Sequence, residues 1–285
     1  MTTPSERIFP LLFVALWSTG FIGARLGLPH IEPLTFLFIR YLAVIACMTA
    51  LAVAMRAPWP SDKNAWLHIG VSGLLVHGVY LGGVFIAIHE GLPAGVTSLV
   101  VSVQPLLTAV GAGVLMGAVV LKRQWAGLAL GLAGVSLVVA GKLGTDFAAH
   151  ALLPATIALL GITAGTLYQK RFCPTLDWRT GSVAQFIPTA LLTGAAAWLT
   201  ETGRIDWTGE LVFALGWLVL VLSIGAVSLL NWLIRYSNAV NVASLFYLVP
   251  PCTAVVAWLL FGETFSALAL AGMGVTVAGV YLARK

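Results

Sequence analysis

Charged residues are scarce in this 285-residue chain. Asp, Glu, Lys and Arg make up only 9% of it, whereas 60% of its residues are hydrophobic. A water-soluble domain carries about a quarter of its residues as charged ones. The chain is therefore expected to be solvated by lipid. The net charge of +5 does not indicate binding to nucleic acid, because the basic residues lie mostly between the apolar runs, as in the cytoplasmic loops of membrane proteins.

Cysteine is also rare, and its pattern excludes two kinds of protein. Cys47, Cys173 and Cys252 are far apart in the sequence and lack the spacing of metal ligands. They predict neither a disulfide framework nor a zinc site. We expect no metal, no cofactor and no catalytic residue, and hence no enzyme. The short alternating strands of a membrane β-barrel are missing as well.

Long apolar runs are abundant instead. A transmembrane helix needs about 20 mostly apolar residues. The first such run, from Ile8 to Leu28, is too long for the hydrophobic part of a cleaved signal peptide, so we count it as a span. Ten spans are predicted at 7–28, 33–55, 64–89, 93–116, 122–141, 150–171, 180–200, 210–236, 239–261 and 266–283. The fold class is an all-α membrane protein.

Lysine and arginine predict the direction of these spans, since cytoplasmic loops collect basic residues. With the N-terminus in the cytoplasm, the outer ends hold Arg25, Lys142 and Arg204, and Arg40 lies within a span. The cytoplasmic ends hold all the others: Arg7, Arg56, Lys63, Lys122, Arg123, Lys170, Arg171, Arg179, Arg235, Arg284 and Lys285. Both termini are expected to be cytoplasmic.

The two halves of the chain share a sequence pattern. A shift of 145 residues pairs Pro105 with Pro250, and the Thr-Ala-Val that begins at Thr108 with the one that begins at Thr253. Matches continue for about 40 residues. Two five-helix repeats, 1–145 and 146–285, are predicted. An odd number of spans per repeat inverts the second repeat relative to the first, and transporters place substrate sites at such repeat interfaces.

Pro105 and Pro250 fall near the centres of the fourth and ninth spans. A proline inside a helix removes a hydrogen bond and frees a carbonyl group, which lipid cannot satisfy. We expect both prolines to face a central cavity, although a simple packing kink is the alternative for each.

Several stretches resemble a known family. They are "LWSTGFIGARLGL" in the first span, "FIRYL" around Arg40, the proline-centred "SLVVSVQPLLTAV", and "GETFSALALAGMGVTVAGVYL" near the end. On these the chain resembles, over its whole length, the EamA-type exporters of the drug/metabolite transporter superfamily. Among bacterial members it is most similar to the YddG-like aromatic amino acid exporters. The resemblance implies export of amino acids or related metabolites across the bacterial inner membrane.

Polar and aromatic side chains at mid-span depth are the candidates for substrate contact, because each is costly in lipid. They are Trp17, His77, Tyr80, Ser98, Gln104, Thr163, Tyr168, Ser244 and Tyr247. Arg40, Pro105, Pro250 and Asn231 are assigned structural or secondary roles; Arg40 is expected to bond carbonyl groups or Glu90, with carboxylate binding as the alternative. Rings, amides and hydroxyls without a buried acid suit a flat zwitterion.

The predicted mechanism is alternating access around a central cavity, either down a gradient or with coupling through His77. Other readings stay open at this point: a multidrug or other metabolite exporter, and less favoured, a membrane-embedded enzyme that uses the adjacent pair His89 and Glu90. The expected partners are a small-molecule substrate and the lipid bilayer. A monomer is expected, and a dimer is left open.

Overall fold

The described residues form a bundle of ten long apolar helices. The computed structural model describes residues 4–92, 94–140, 149–261 and 266–284. The helices are α1 (Pro4–Gly27), α2 (Pro33–Ala54), α3 (Lys63–His89), α4 (Ala94–Val101 and Gln104–Met116), α5 (Lys122–Ala140), α6 (Leu152–Phe172), α7 (Trp178–Thr200), α8 (Gly209–Tyr236), α9 (Ala239–Ser244, Leu245–Leu248 and Val249–Phe261) and α10 (Ala267–Arg284).

The ten predicted spans are confirmed, as is the all-α class. All ten helices are long and apolar enough to cross a membrane. The largest difference in a boundary is at the first helix, which was predicted from residue 7 and begins at Pro4. Hydrophobic runs locate membrane helices this well because each helix satisfies its own backbone hydrogen bonds, so lipid imposes a simple length rule.

Loop contacts define the two ends of the bundle. At one end, which we call the far end, Ile31 and Ile205 form an isolated antiparallel bridge, and Asp206 donates its backbone N–H to the His30 carbonyl at 2.9 Å. At the other end, which carries the two chain termini and is called the terminal end, Thr180 donates to the Pro58 carbonyl at 2.7 Å. Each end is thus fixed by contacts between the two halves of the chain.

Glycines bring α5 and α10 into close contact. A side chain at Gly134 would meet Thr276, and one at Gly279 would meet the backbone of Gly131. Small residues let helix backbones approach in this way. The glycine run of α5 is therefore used within the chain, whereas Gly274 of α10 meets nothing within 4 Å.

The two halves also share irregular helical segments. Residues Leu74–Val79 of α3 and Leu218–Ala226 of α8 are π-helical. Adding the shift of 145 to 74–79 gives 219–224, which lies inside the second segment. The two repeats thus have the same local distortion at the same place. π-helical turns are rare and are frequently found at functional sites, so these segments direct attention to the middle of α3 and α8.

Candidate functional site

Helices α4 and α9 are both broken where the sequence has its repeated proline. In α4 the helix ends at Val101 and begins again at Gln104, with Pro105 in the first turn of the second piece. In α9 a short 3-10 segment, Leu245–Leu248, separates two α-helical pieces, and Pro250 lies in the first turn of the second one. The expected distortions are therefore present in both halves.

Two aromatic rings face each other beside these breaks. Trp17 of α1 and Tyr80 of α3 lie nearly parallel, with ring centroids 6.4 Å apart and planes 8° apart. Both are buried. Phe246, in the 3-10 segment of α9, packs edge-on against Trp17 at 5.4 Å, and Phe13 packs against Trp17 and Phe246. The pair is thus held by three helices.

This aromatic pair borders two small cavities. One, of about 20 Å³, is lined by both rings together with Gly20, Arg40 and Leu222. The other is about 10 Å³ and is lined by both rings together with Ser98, Ser102, Phe246 and Pro250. A water molecule needs about 10–15 Å³ of such space. Each cavity therefore has room for about one water molecule. The two rings must move before a substrate can bind between them.

Larger hollows lie away from these groups. A groove of about 560 Å³ between α1, α8 and α9 is almost entirely apolar, and exposed Phe213, Leu259 and Leu260 line it. Its chemistry suits the hydrocarbon of the bilayer. A hollow of about 230 Å³ at the terminal end lies among loop residues such as Trp59 and Asp177. We favour the central cavities because they combine rings, hydroxyls and a buried charge.

Arg40 of α2 is the buried charge. Its side chain is 1% exposed, and its Nε donates a hydrogen bond to Ser223 Oγ at 3.0 Å. Ser223 belongs to the π-helical segment of α8. The two terminal nitrogens of Arg40 have no hydrogen-bond partner among the described residues. The expected bond to a carbonyl or to Glu90 is not what the structure shows, because the α2–α8 contact gives Arg40 a hydroxyl partner instead.

A ring of side-chain amides lies nearer the terminal end. Gln169 donates to Asn231 Oδ1 at 2.8 Å, Asn231 donates to Gln185 Oε1 at 3.3 Å, and Gln185 donates back to Gln169 Oε1 at 3.1 Å. Gln185 also donates to Ser72 Oγ at 3.0 Å. This amide ring ties α3, α6, α7 and α8 together. Asn231, which was assigned a structural or secondary role from the sequence, joins α8 to this ring.

The other predicted residues lie outside the walls of the two central cavities. His77 stacks on Phe186 with centroids 4.3 Å apart, and neither ring nitrogen has a hydrogen-bond partner among the described residues. Gln104 is fully buried, and its side-chain amide also has no hydrogen-bond partner among the described residues. Pro105 is buried next to it.

The remaining four make local or peripheral contacts. Thr163 donates to the Leu159 carbonyl of its own helix at 2.7 Å, and Ser244 donates to the Asn241 carbonyl at 2.9 Å. Tyr168 Oη is 2.7 Å from His68 Nδ1. Tyr247 packs against Gly131 of α5. Contact of these residues with substrate stays a prediction that requires a different conformation.

The sequence reading missed three residues of this region: Ser102, Ser223 and Gln185. Ser102 directly follows Val101, where α4 breaks, so its closeness to Pro105 could have indicated it. Gln185 is an amide deep within an apolar run, which is costly in lipid and was a usable signal. Ser223 had no such signal, because small hydroxyl residues are common in membrane helices.

Carboxylates at the helix ends have shifted pKa values. Burial alone would raise the pKa of Glu32, but hydrogen bonds from Thr202, Gly203 and Arg204 outweigh it and lower that pKa. Burial would likewise raise the pKa of Asp177, and bonds from Arg179 and Thr180 lower it. Both acids stay ionised at neutral pH and hold loops together. Among the described residues there is no group of three His, Cys, Asp or Glu side chains that could hold a metal.

Ten helices long enough to span a membrane, with matching breaks in α4 and α9, are found among the described residues and are typical of a membrane transporter. The model of the EamA-like transporter family matches residues 6–140 and again residues 147–284. The chain belongs to this family, whose members carry solutes across membranes, and it is not an enzyme.

Relatives with names agree with this class. The chain is 27% identical over 281 residues to "Uncharacterized inner membrane transporter YedA" of Escherichia coli K12, which covers 96% of this chain and 90% of the relative. It is 27% identical to "Probable amino-acid metabolite efflux pump" of Salmonella typhimurium, covering 97% and 94%. It is 28% identical to "Probable terminal-alkyne amino-acid exporter" of Streptantibioticus cattleyicolor, covering 99% and 94%. These matches indicate the bacterial inner membrane as its location.

A solved crystal structure has the same fold. It superposes with a TM-score of 0.82 at 20% sequence identity and covers 99% of this chain and 97% of the other. The ten-helix arrangement is therefore an established one. At this identity the similarity concerns the fold alone.

Proposed function

We propose that this transporter exports amino acids, aromatic ones in particular, from the cytoplasm by alternating access. The observation that carries the proposal is the parallel Trp17–Tyr80 pair next to the buried guanidinium of Arg40. Flat rings stack on aromatic side chains, whereas the charged groups of a zwitterion require a buried polar partner. The two relatives named for amino acids support the same substrate class.

In the proposed mechanism the repeats 1–145 and 146–285 move against each other. The central cavities are too small for any amino acid, so substrate binding requires the helices around them to move apart. The breaks in α4 and α9 and the π-helical segments of α3 and α8 leave few regular hydrogen bonds to break near the site. Bending there opens one side at a time. Both termini are proposed to lie in the cytoplasm.

The same site disfavours a pump for large organic cations. Arg40 lines the central cavity, and the sequence has no Asp or Glu at mid-span depth. A bulky cation would meet a like charge there, which costs free energy in a medium of low dielectric constant. A zwitterion brings a negative group to the guanidinium. This difference in charge separates the proposal from the multidrug reading.

Transport by purified protein in liposomes tests the proposal. Labelled tryptophan, labelled threonine and a cationic dye are offered in separate runs, and tryptophan is expected to enter fastest. Trp17→Ala should slow tryptophan transport about tenfold, because a lost aromatic contact costs about 0.5–1.5 kcal/mol beyond the buried area. Trp198→Ala is the matched control, since Trp198 is 85% exposed on the outside of α7.

Two outcomes would refute the proposal. One is transport of the dye without transport of either amino acid. The other is an equal loss of tryptophan transport in Trp17→Ala and Trp198→Ala.

A proton gradient across the same liposomes tests coupling. If tryptophan accumulates against its own gradient, His77→Phe should abolish that accumulation but keep the flow of tryptophan down its gradient.

A further inference from the structure

Among the described residues, no acidic side chain neutralises the charge of Arg40. A guanidinium stays protonated at any physiological pH. At 1% exposure it is removed from bulk solvent, and its hydrogen bond to Ser223 Oγ supplies an acceptor but no negative charge. The two terminal nitrogens have no hydrogen-bond partner among the described residues. A buried charge left in this state is costly, so it calls for an anionic partner.

The acids at the far end are engaged elsewhere. Glu201 accepts from the backbone N–H groups of Leu34 and Thr35, both at 2.7 Å. Glu32 accepts from Thr202 and Gly203, and Glu210 lies 3.2 Å from His30. These carboxylates hold loops and the start of α2.

Glu90, the acid first expected to pair with Arg40, is exposed at the end of α3. Among the side chains that the structure describes, no carboxylate lies within hydrogen-bond distance of the terminal nitrogens of Arg40.

The guanidinium of Arg40 offers the donor pattern that a carboxylate requires. Because Nε is occupied by Ser223, the two terminal nitrogens form the free edge of the planar guanidinium. Two parallel N–H donors match the two oxygens of a carboxylate. Arg40 lines the same cavity as Trp17 and Tyr80, so an anion bound there would have aromatic faces beside it. An ammonium group could lie over one of those faces.

We propose that Arg40 binds the carboxylate of the transported molecule through its two terminal nitrogens, with Ser223 as a positioning residue. This inference rests on the proposed function and narrows it to substrates with a free carboxylate. The transported molecule then supplies the missing negative charge, so substrate binding stabilises the protein. Esters, amides and decarboxylated amines would leave the guanidinium unpaired.

Competition experiments test the assignment in the wild-type protein. Transport of labelled tryptophan into liposomes is measured against unlabelled tryptophan, indole-3-propionate, tryptophan amide and tryptamine. The two carboxylates should compete well. The amide and the amine should be about 30-fold weaker, as expected for losing a hydrogen-bonded charge. Equal competition by tryptophan and its amide would overturn the assignment and leave amino acid transport standing.

Variants give an independent readout. In Arg40→Gln the preference for tryptophan over tryptophan amide should fall below about threefold. In Arg40→Lys, which keeps the charge but loses the two parallel N–H donors, this preference should be intermediate. Arg204→Gln is the matched control, because Arg204 is 81% exposed at the far end. A full preference in Arg40→Gln would overturn the assignment. If that variant does not fold, the wild-type competition series decides.

A binding assay separates failure of this inference from failure of the proposed function. If tryptophan is not transported, the proposed function fails. Thermal unfolding then still tests Arg40: indole-3-propionate should stabilise the wild-type protein and Arg204→Gln, and should not stabilise Arg40→Gln, whereas tryptamine should stabilise none of them. Stabilisation of the wild type and Arg40→Gln to the same extent would overturn the assignment, and so would no stabilisation of the wild type.

Discussion

Replacing Gln185 by leucine should open the terminal end of the bundle. Gln185 is fully buried in α7 and takes part in three of the four bonds described for the amide ring: it donates to Gln169 and to Ser72, and accepts from Asn231. The ring joins helices from both halves of the chain. In an alternating-access mechanism these helices must separate when the site opens to the terminal end.

The magnitude follows from the number of bonds lost. A side-chain hydrogen bond between membrane helices contributes about 0.6 kcal/mol on average and about 1.7 kcal/mol at most. Three such bonds contribute about 2 kcal/mol to the stability of the folded protein. Only the bond from Gln185 to Ser72 crosses between the two halves, and its loss of about 0.6 kcal/mol changes the equilibrium between closed and open terminal ends about threefold. Leucine has a similar size and adds no polar group, so the effect should come from the lost bonds.

Two assays detect this change. Thermal unfolding in detergent should show a clear destabilisation of Gln185→Leu, and tryptophan transport should show a changed rate because the closed state is less favoured. Thr156→Val is the matched control: Thr156 is exposed on α6, and its hydroxyl bonds only the Leu152 carbonyl among the contacts described. Equal melting temperatures for wild type and Gln185→Leu, or equal losses in both variants, would refute this reasoning.

Three further predictions concern packing, topology and pH. Gly279→Ala should destabilise the protein by about 1–3 kcal/mol in thermal unfolding, because its methyl group would meet the α5 backbone, whereas Gly274→Ala should be tolerated; equal stability of the two would contradict the packing. In a cysteine-free background, a membrane-impermeant maleimide should label Arg204→Cys on intact cells and spare Ser61→Cys, and the reverse would place the termini outside. The stability that Glu32 contributes relative to Glu32→Gln should be constant at neutral pH and should be lost as pH falls below its usual pKa of 4.5, because its folded pKa is lowered; a difference that grows on acidification would contradict it.

The helices could be predicted from the sequence because their causes are local. Lipid sets the length of each apolar run, and Pro105 and Pro250 lack the N–H that a continuous helix needs. Both breaks appear where the prolines predict them. The repeat was readable for the same reason, since the same local devices occur twice at a constant shift.

The contacts of the site could not be predicted, because they depend on how helices face one another. Arg40 and Ser223 are 183 residues apart, and nothing local in either segment indicates their bond. Depth alone favoured Tyr247 as a cavity residue, yet the 3-10 segment of α9 turns its ring towards Gly131. Depth also favoured Thr163, whose hydroxyl bonds its own helix. The depth of a residue in the membrane therefore identifies candidates for substrate contact. The rotation of each helix about its axis decides which of them line the cavity.

A structure of the transporter with bound tryptophan tests the central claim most directly. We expect the carboxylate to lie within hydrogen-bond distance of both terminal nitrogens of Arg40, with the indole against Trp17 or Tyr80 and the two central cavities merged. Tryptophan bound in the terminal-end hollow or in the apolar groove beside α1, with the Trp17–Tyr80 pair unmoved, would contradict it.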